Sequence, residues 1–228
     1  MNALVQQEDG LIGSAEDIKA LQKKDEARLL VVSDTHGESE LLEQILEKFG
    51  SECDALVFCG DGACDVEFCI ERAFFDEDFR NCLPPVIAFA RGNGDAPDYV
   101  LMIDPEDFEV PPAMRGIAVP DWICFEAAGR TVYAVHGHRH NVDWGTDTLQ
   151  GTAYTMDADM VFFGHTHRPF AEEIEGTLFL NPGSVARPRG GSSPSFAVVS
   201  FPGTTERFEI QKFSVQRSIF NTLSFHEI

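Results

Sequence analysis

Three buried strands, each followed directly by a polar loop, restrict the fold of this chain more than any other feature. The strands cover residues 29–32, 55–59 and 85–90, and the loops behind them carry Asp34, His36, Asp61 and Asn93. Strands that are apolar on both faces are typical of parallel sheets, and helical spacing after them predicts strand–loop–helix units. Since ligands bind at the carboxyl ends of such strands, we expect these polar residues to share one edge of an α/β fold.

The histidines follow the same rule in the second half of the chain. Short strands are predicted at 122–125, 131–135, 160–163 and 177–180, and an alternating tail at 196–200 and 208–213 predicts antiparallel strands. Six of the seven histidines lie in three strand-end loops: His36, His136, His138, His140, His165 and His167. His226 lies outside these loops and is given no role.

Length and charge narrow the function classes. A chain of 228 residues favours one large domain, predicted over residues 28–228, with an extension at residues 1–27. The formal net charge of −21 argues against duplex nucleic acid and anionic membranes as partners, because binding phosphates in bulk requires clustered Lys and Arg. No stretch approaches the ~20 apolar residues of a membrane span.

The predicted compartment is the cytoplasm. Glu8 and Asp9 interrupt the region where a signal peptide would be apolar. The six cysteines include no Cys-x-x-Cys pair, and a chain with this much apolar sequence does not need disulfides to fold. We therefore expect free thiols in a reducing compartment.

Two segments leave alternatives open. Residues 1–27 form either a helix that Ser14 caps, with Asp17 three residues later, or a partly disordered arm. Residues 96–120 are rich in Pro, Asp and Glu and are expected to run over the surface as a lid or as an oligomer contact. A homo-oligomer is therefore one of the open alternatives.

Seven strand-end side chains are oxygen or imidazole donors, which suit Mn²⁺, Fe²⁺, Zn²⁺ and similar ions. One tetrahedral site uses about four protein ligands, whereas seven suit two ions about 3.5–4 Å apart that share a carboxylate and a water. Asp61 is the expected shared ligand, because Gly60 and Gly62 allow close approach. The predicted metal ligands are Asp34, His36, Asp61, Asn93, His136, His165 and His167.

Five motifs in order resemble those of the calcineurin-like metallophosphoesterase superfamily. They are Asp34-x-His36, Gly60-Asp61, Gly92-Asn93-x-Asp95, His136-Gly137-His138 and Gly164-His165-Thr166-His167. Their order and spacing are similar to the small bacterial and archaeal phosphodiesterase branch (YfcE-like), and Asn181-Pro182-Gly183-Ser184 is a further match. The resemblance covers about residues 28–200. It implies an α/β sandwich of two mixed β-sheets, packed face to face and flanked by helices.

The resemblance also implies the two ligand sets and the reaction. The first ion would take Asp34, His36, Asp61 and His167, and the second Asp61, Asn93, His136 and His165. The expected cofactor is two divalent ions, Mn²⁺ first, with Fe, Zn, Ni or Mg as alternatives. A hydroxide that bridges them would attack a small phosphate ester, which implies a metal-dependent phosphodiesterase.

At one position the chain departs from the family pattern. Many members have a histidine after Gly-Asn that protonates the leaving group, and here that residue is Gly94. Asn93 and His138 are the expected catalytic residues, with His138 as the substitute proton donor. Asp95 would normally orient the missing histidine, so its role is open. Arg168 and Arg187 are expected to bind the substrate phosphate.

Two other functions fit parts of this pattern. A scaffold of the same fold that binds a protein partner, like the retromer subunit in this branch, would explain Gly94 and the Pro-rich segment. Scaffold members tend to lose a metal histidine, however, and this chain keeps all of them. A metal-dependent amidohydrolase would carry its histidine pair on the first strand, whereas here the pair comes late.

Overall fold

A computed structural model of the protein describes residues 1–102, 114–203, 207–218 and 222–228. The helices are α1 (Ala15–Gln22), α2 (Ser39–Phe49), α3 (Ala63–Phe75), α4 (Glu77–Cys82) and α5 (Asp147–Thr155). The strands are β1 (Glu26–Val32), β2 (Ala55–Phe58), β3 (Val86–Phe89), β4 (Asp98–Met102), β5 (Met114–Ala118), β6 (Trp122–Ala127), β7 (Arg130–Val135), β8 (Met160–Phe163), β9 (Phe170–Ile174), β10 (Thr177–Asn181), β11 (Ser195–Pro202), β12 (Glu209–Arg217) and β13 (Leu223–Glu227).

Two mixed β-sheets form the centre of the fold. The six-stranded sheet has the order β13-β12-β11-β1-β2-β3, and β1, β2 and β3 run parallel. The five-stranded sheet has the order β6-β7-β8-β10-β9, and β7, β8 and β10 run parallel. The other strands of both sheets pair antiparallel with their neighbours. The predicted parallel strands and the antiparallel tail are therefore confirmed.

The two faces of β1 have different partners, because successive side chains of a strand point to opposite faces. Leu29 and Val31 pack with Phe162 of β8 between the two sheets. Leu30 and Val32 pack on the other face against α2 and α3. Helix α5 covers the outer face of the five-stranded sheet in the same way. The expected sandwich flanked by helices is confirmed, and no described helix has the length and apolarity needed to cross a membrane.

The segment 1–27 packs onto this sandwich. Ile12 pairs antiparallel with Ile87, which adds a bridge to the free edge of β3. Asn2 is fully buried, and its Nδ2 donates to Pro84 O over 2.9 Å. Ser14 accepts a hydrogen bond from the backbone of Asp17 at the start of α1, so the helix alternative is confirmed and the disordered arm is wrong.

The expectation that residues 96–120 run over the surface is partly wrong. Strands β4 and β5 pair antiparallel and form a two-stranded sheet. Leu101 and Ile117 are buried against the helical side of the six-stranded sheet, which explains why this hairpin stays on the domain. Residues 103–113 of the expected lid or oligomer contact lie outside the described residues. The pattern also missed α4, β9 and β13, which are short and polar.

Two neighbouring carboxylates on α3 predict a pH-dependent stability. Burial and the charge of Glu71 raise the pKa of Glu67 to about 7, against ~4.3 in an unfolded chain. The unfolded chain therefore loses this proton first. The stability that protonated Glu67 contributes is full below about pH 4 and is lost as the pH rises to about 7.

We expect Glu67→Gln to increase the free energy of unfolding at pH 8, by about 0.5 kcal/mol, as for a solvent-screened pair of like charges. At pH 4 the same change should have no effect. Urea unfolding at both pH values measures the difference, with Glu40→Gln on α2 as the control. An equal effect of Glu67→Gln at the two pH values would contradict this expectation.

Candidate metal centre

Backbone hydrogen bonds join the loops that follow β1 and β2, so that the predicted metal ligands of the two loops lie side by side. Asp34 N donates to Gly60 O over 2.9 Å, and His36 N donates to Asp61 O over 2.9 Å. Ser184, in the loop after β10, donates from Oγ to Asp34 O over 2.7 Å. The strand-end loops of the two sheets therefore meet at Asp34, the first predicted ligand.

Four of the predicted donors converge on one point. Asp34, His36, Asp61 and His167 offer ligand atoms that all lie within 4.8 Å of one another. His167 Nε2 lies 3.1 Å from His36 Nε2 and 3.1 Å from Asp34 Oδ1. Asp34 is fully buried and His167 is 2% exposed. These four residues are the first of the two predicted ligand sets.

Buried polar atoms without partners show that this group fits a divalent cation. Asp34 Oδ1 and His136 Nε2 are buried and make no hydrogen bond to the described residues. A buried polar atom without a hydrogen bond costs about 1–3 kcal/mol. Carboxylate oxygens and imidazole nitrogens are ligands that Mn²⁺, Fe²⁺ and Zn²⁺ accept. An ion in the first predicted ligand set would satisfy Asp34 Oδ1, and an ion in the second would satisfy His136 Nε2.

The second predicted set is partly assembled. His136 Nε2 lies 3.5 Å from Asp61 Oδ2, and the ring centroids of His136 and His165 are 5.1 Å apart. His165 Nε2, however, lies 2.9 Å from Asp143 Oδ2. Asn93 is exposed in the loop after β3. The structure thus brings both histidines to the Asp61 side of the centre and leaves Asn93 at its rim.

The backbone of the donor loops is unusual. Among the seven predicted ligands, five have positive φ angles between 49° and 69°: Asp34, His36, Asp61, His165 and His167. The left-handed region costs a non-glycine residue roughly 1–2 kcal/mol. Such conformations cluster at functional sites, where the surrounding structure enforces them. The strain coincides with the residues that the sequence pattern selected for metal binding.

Burial and neighbouring charges shift the pKa values at the centre. Burial raises the pKa of Asp61, but His136 and the N–H of Gly94 lower it more, so the pKa lies below its ordinary range. Burial lowers the pKa of His136, but Asp61 and Asp34 raise it more. For His36, burial lowers the pKa, and it stays below the ordinary value although the same carboxylates raise it. Asp61 is therefore ionised at neutral pH, as metal binding requires.

Asp95, whose role the sequence left open, holds the Asp61 loop. Its Oδ2 accepts the N–H groups of Asp61 and Gly92 at 2.8 Å each. Its Oδ1 accepts those of Gly62 and Ala63 at 2.9 Å each. One carboxylate therefore satisfies four backbone donors, including those at the N-terminus of α3, where a negative charge is favoured.

Two further side chains that support the centre were not predicted. Asp65 is buried and accepts hydrogen bonds from Thr35 Oγ1 and, over 2.9 Å, from Gly37 N. Asp143 contacts His165, as described above. An acidic residue in the first turn of a helix is ordinary, so Asp65 gave no separate signal. Asp143 lies 22 positions before its partner, and only the fold shows that they meet.

The two predicted arginines lie on different sides of the centre. Arg187 lines a cavity of about 290 Å³ together with His36, Asp61 and Gly94. Arg168 lines a separate pocket of about 500 Å³. A Cβ atom built on Gly94 would lie 3.2 Å from Asp61 Oδ1. A larger residue at position 94 would crowd Asp61, whereas Gly94 leaves the cavity beside Arg187 open.

The predicted proton donor His138 lies next to the second ligand set. Its ring centroid is 5.4 Å from that of His136 and 6.2 Å from that of His165. It begins a short 3₁₀ turn, His138–His140, at the carboxyl end of β7. Its Nδ1 is buried and has no hydrogen bond among the described residues. Burial and the nearby cations lower its pKa.

Comparison with solved structures identifies the same fold in another protein. A conserved protein of Streptococcus pneumoniae, described as a predicted phosphoesterase, superposes with a TM-score of 0.60. The match covers 90% of this chain and 99% of that chain, at 20% sequence identity. At this identity the likeness concerns the fold alone.

Two curated relatives are more similar in sequence. The probable metallophosphoesterase YsnB of Bacillus subtilis is 27% identical over 172 residues, which cover 75% of this chain and 83% of the relative. The phosphodiesterase YfcE of Escherichia coli is 27% identical over 178 residues, which cover 75% and 86%.

A model of a protein family matches most of this chain. The calcineurin-like phosphoesterase superfamily domain matches residues 28–203. This range begins inside β1 and ends just after β11, so it contains every strand-end loop that carries a predicted ligand. The chain therefore belongs to the calcineurin-like phosphoesterase superfamily.

Proposed function

We propose that the protein hydrolyses phosphodiesters with two divalent metal ions. The first ion is held by Asp34, His36, Asp61 and His167, and the second by Asp61, Asn93, His136 and His165. The observation that carries the proposal is the buried convergence of the first set, in which Asp34 Oδ1 lacks a hydrogen bond to the described residues. Membership of the superfamily gives the reaction class as phosphoric ester hydrolysis, and the phosphodiesterase YfcE supports a diester.

The chain's own residues prepare the imidazoles for this task. His136 Nδ1 lies 2.7 Å from Cys59 O, and His167 Nδ1 lies 2.5 Å from Arg187 O. Because each carbonyl oxygen accepts a hydrogen bond from Nδ1–H, the proton stays on Nδ1 and each Nε2 keeps its lone pair for a metal. The ions, when bound, supply an acidified water and positive charge that offsets the charge on the phosphoryl oxygens.

Arg187 and His138 complete the proposed machinery. The Arg187 guanidinium in the cavity beside Asp61 binds a phosphoryl oxygen, while Arg168 approaches the phosphate from the other side. His138 protonates the leaving group, since Gly94 offers no side chain for this step.

A proton donor matters most for poor leaving groups. His138→Gln should therefore slow alkyl diesters more than p-nitrophenyl diesters.

The ion, the compartment and the partners are also proposals. Mn²⁺ is the proposed ion, because it accepts the carboxylate and amide oxygens together with imidazole nitrogens, and metal analysis discriminates it from Fe, Zn, Ni and Mg. A cytoplasmic location is supported by six cysteine thiols that are all free. The proposed partner is a small phosphate ester. The net charge of −21 disfavours duplex nucleic acid and anionic membrane.

The direct test combines metal analysis with an assay. The purified protein should contain close to two divalent ions per chain and should hydrolyse bis(p-nitrophenyl) phosphate. Chelation should abolish the activity and Mn²⁺ should restore it. Asn93→Ala should lower both metal content and rate. The absence of turnover with each of Mn²⁺, Fe²⁺, Zn²⁺, Ni²⁺ and Mg²⁺ would refute the proposal, and a protein partner that stays bound after chelation would favour a scaffold.

The two late histidines should have separable effects. His167 lies with the first ligand set, whereas His165 lies with His136. We expect His167→Ala to weaken the first ion and His165→Ala to weaken the second, each by about 10–100-fold in affinity or more. Calorimetric titration of the metal-free variants with Mn²⁺ would resolve the two binding steps. If both variants lose the same step, the assignment of the two histidines is wrong.

A further inference from the structure

The pocket of about 500 Å³ shares a wall with the metal centre. Its lining includes Asp143, which contacts His165 Nε2, and Thr166, which lies between the two late histidines. Arg189 also lines the pocket, and its backbone N–H donates to the backbone oxygen of His167 over 3.1 Å. A group bound in this pocket would therefore lie next to a phosphate at the centre. Its volume is within the ~300–1,000 Å³ of small-molecule sites.

One side of the pocket is apolar and aromatic. The ring centroids of Phe163 and Phe170 lie 5.9 Å apart, and Val142 and Pro169 continue the same surface. Phe163 is 2% exposed, whereas Phe170 is half-buried. The Phe170 ring therefore remains accessible to stack against a planar group.

Two arginines at the pocket form no ion pair with the residues that the structure describes. Ion pairs between described residues engage Arg28, Arg72, Arg91, Arg130, Arg139 and Arg217. Arg168 and Arg189 are not among them, although the chain carries a net charge of −21. The Arg168 side chain packs against Gly190, where an added Cβ would lie 2.9 Å from Arg168 Nε. Two uncompensated guanidinium groups favour an anion at this end of the pocket.

The remaining polar groups argue against a hydrocarbon chain as the occupant. Asp143, Thr146 and Glu172 line the pocket with two carboxylates and a hydroxyl. Asp143 already contacts His165, and Thr146 Oγ1 accepts a hydrogen bond from Gln150 Nε2 over 2.8 Å. An alkyl chain would offer no donor to the remaining acceptor sites of these groups, whereas N–H and O–H groups of a polar ligand would. The combination of aromatic surface, hydrogen-bond acceptors and unpaired arginines suits a base, a sugar and a phosphate.

We propose that this pocket binds the nucleoside part of a nucleotide phosphodiester. The inference rests on the proposed function and names the substrate class for the same centre. The base stacks on Phe170, the sugar or base donors contact Asp143 and Glu172, and the phosphate lies between Arg168 and the metal ligands. Phe170 and Arg189 then determine specificity and take no part in the chemical step.

Two substrates with the same leaving group test this proposal. They are thymidine 5′-(p-nitrophenyl phosphate) and methyl p-nitrophenyl phosphate, which differ in the group that stays on phosphorus. With the Mn²⁺-loaded protein, kcat/KM for the thymidine ester should exceed that for the methyl ester by about tenfold or more, the scale of one base stacked on an aromatic ring. Phe170→Leu, which keeps apolar volume without a ring, should bring the ratio toward one.

A binding measurement gives a second readout that does not need turnover. Thymidine 5′-monophosphate should bind at least about tenfold more tightly than methyl phosphate by calorimetry, and Phe170→Leu and Arg189→Ala should reduce that difference. Arg207→Ala is the matched control, because Arg207 is also exposed and lines a different cavity near the start of β1.

The outcomes separate this inference from the proposed function. If both esters are hydrolysed at equal kcat/KM, or an octyl ester is preferred, the nucleoside pocket is refuted and the phosphodiesterase stands. If neither ester is hydrolysed, the proposed function fails, and the calorimetric comparison alone decides the pocket. Equal binding of the two monoesters would then overturn it as well.

Discussion

Asp61→Asn is expected to lower kcat/KM for phosphodiesters by about 10³-fold or more, which corresponds to ~4 kcal/mol of transition-state stabilisation. Asp61 is the one residue that both proposed ligand sets share, so the loss of its charge affects both ions. Asparagine keeps the size of the side chain and an oxygen that can accept from Gly94 N, which now lies 2.7 Å from Asp61 Oδ1. The loss should therefore reflect metal binding and charge more than packing.

The measurement pairs the assay with metal content per chain. Asp157→Asn is a matched control, because Asp157 is exposed, follows α5 and also has a left-handed backbone, with φ of 51°. The same substitution in the same conformation should leave rate and metal content at the wild-type level. An Asp61→Asn protein with two bound ions and wild-type kcat/KM would contradict the proposed shared ligand.

Asp95→Asn is expected to have the second largest effect, although Asp95 is proposed to contact neither metal nor substrate. Its carboxylate accepts four backbone N–H groups around the Asp61 loop. An amide directs an NH₂ group at two of these donors, which leaves them without acceptors. Losing hydrogen bonds to a charged group should lower the free energy of unfolding by about 2–4 kcal/mol. Metal affinity should fall by about 10–100-fold, because the support of a ligand is lost.

Urea unfolding of the metal-free protein and calorimetric titration with Mn²⁺ measure the two effects separately. Asp98→Asn serves as the control, since Asp98 is an exposed carboxylate three positions later on β4. A protein with lower stability but normal Mn²⁺ affinity would show that Asp95 stabilises α3 without positioning Asp61. Wild-type values for both quantities would contradict the role altogether.

The central strands were predictable because their signal is local. Strands β1, β2, β3 and β8 are short apolar runs that are buried along their whole length, apart from the first residues of β1. The sequence of β9, Phe-Ala-Glu-Glu-Ile, gives no such signal, since it is an edge strand whose pairing with β10 supplies the stability. Strands β4 and β5 also lack a long apolar run, because they lie among acidic residues and prolines, and their pairing with each other supplies the stability.

The candidate site was predictable as a set of donors and less so as a geometry. A polar residue directly after a buried strand must lie at the sheet edge, so the convergence of Asp34, Asp61 and His167 follows from topology. The contact between Asp143 and His165 could not be predicted, because it depends on how a loop returns across the five-stranded sheet. The metal roles of all seven residues remain predictions until the ions are measured.

The left-handed backbone of five donors sets the stability of these loops against their ability to bind metal. Glycine adopts this conformation without the penalty that Asp and His pay there, so each Asp→Gly or His→Gly replacement would relieve roughly 1–2 kcal/mol of strain while removing a donor. The chain thus carries five donors at backbone positions that glycine would occupy with less strain, so stability and metal binding make opposite demands on these loops.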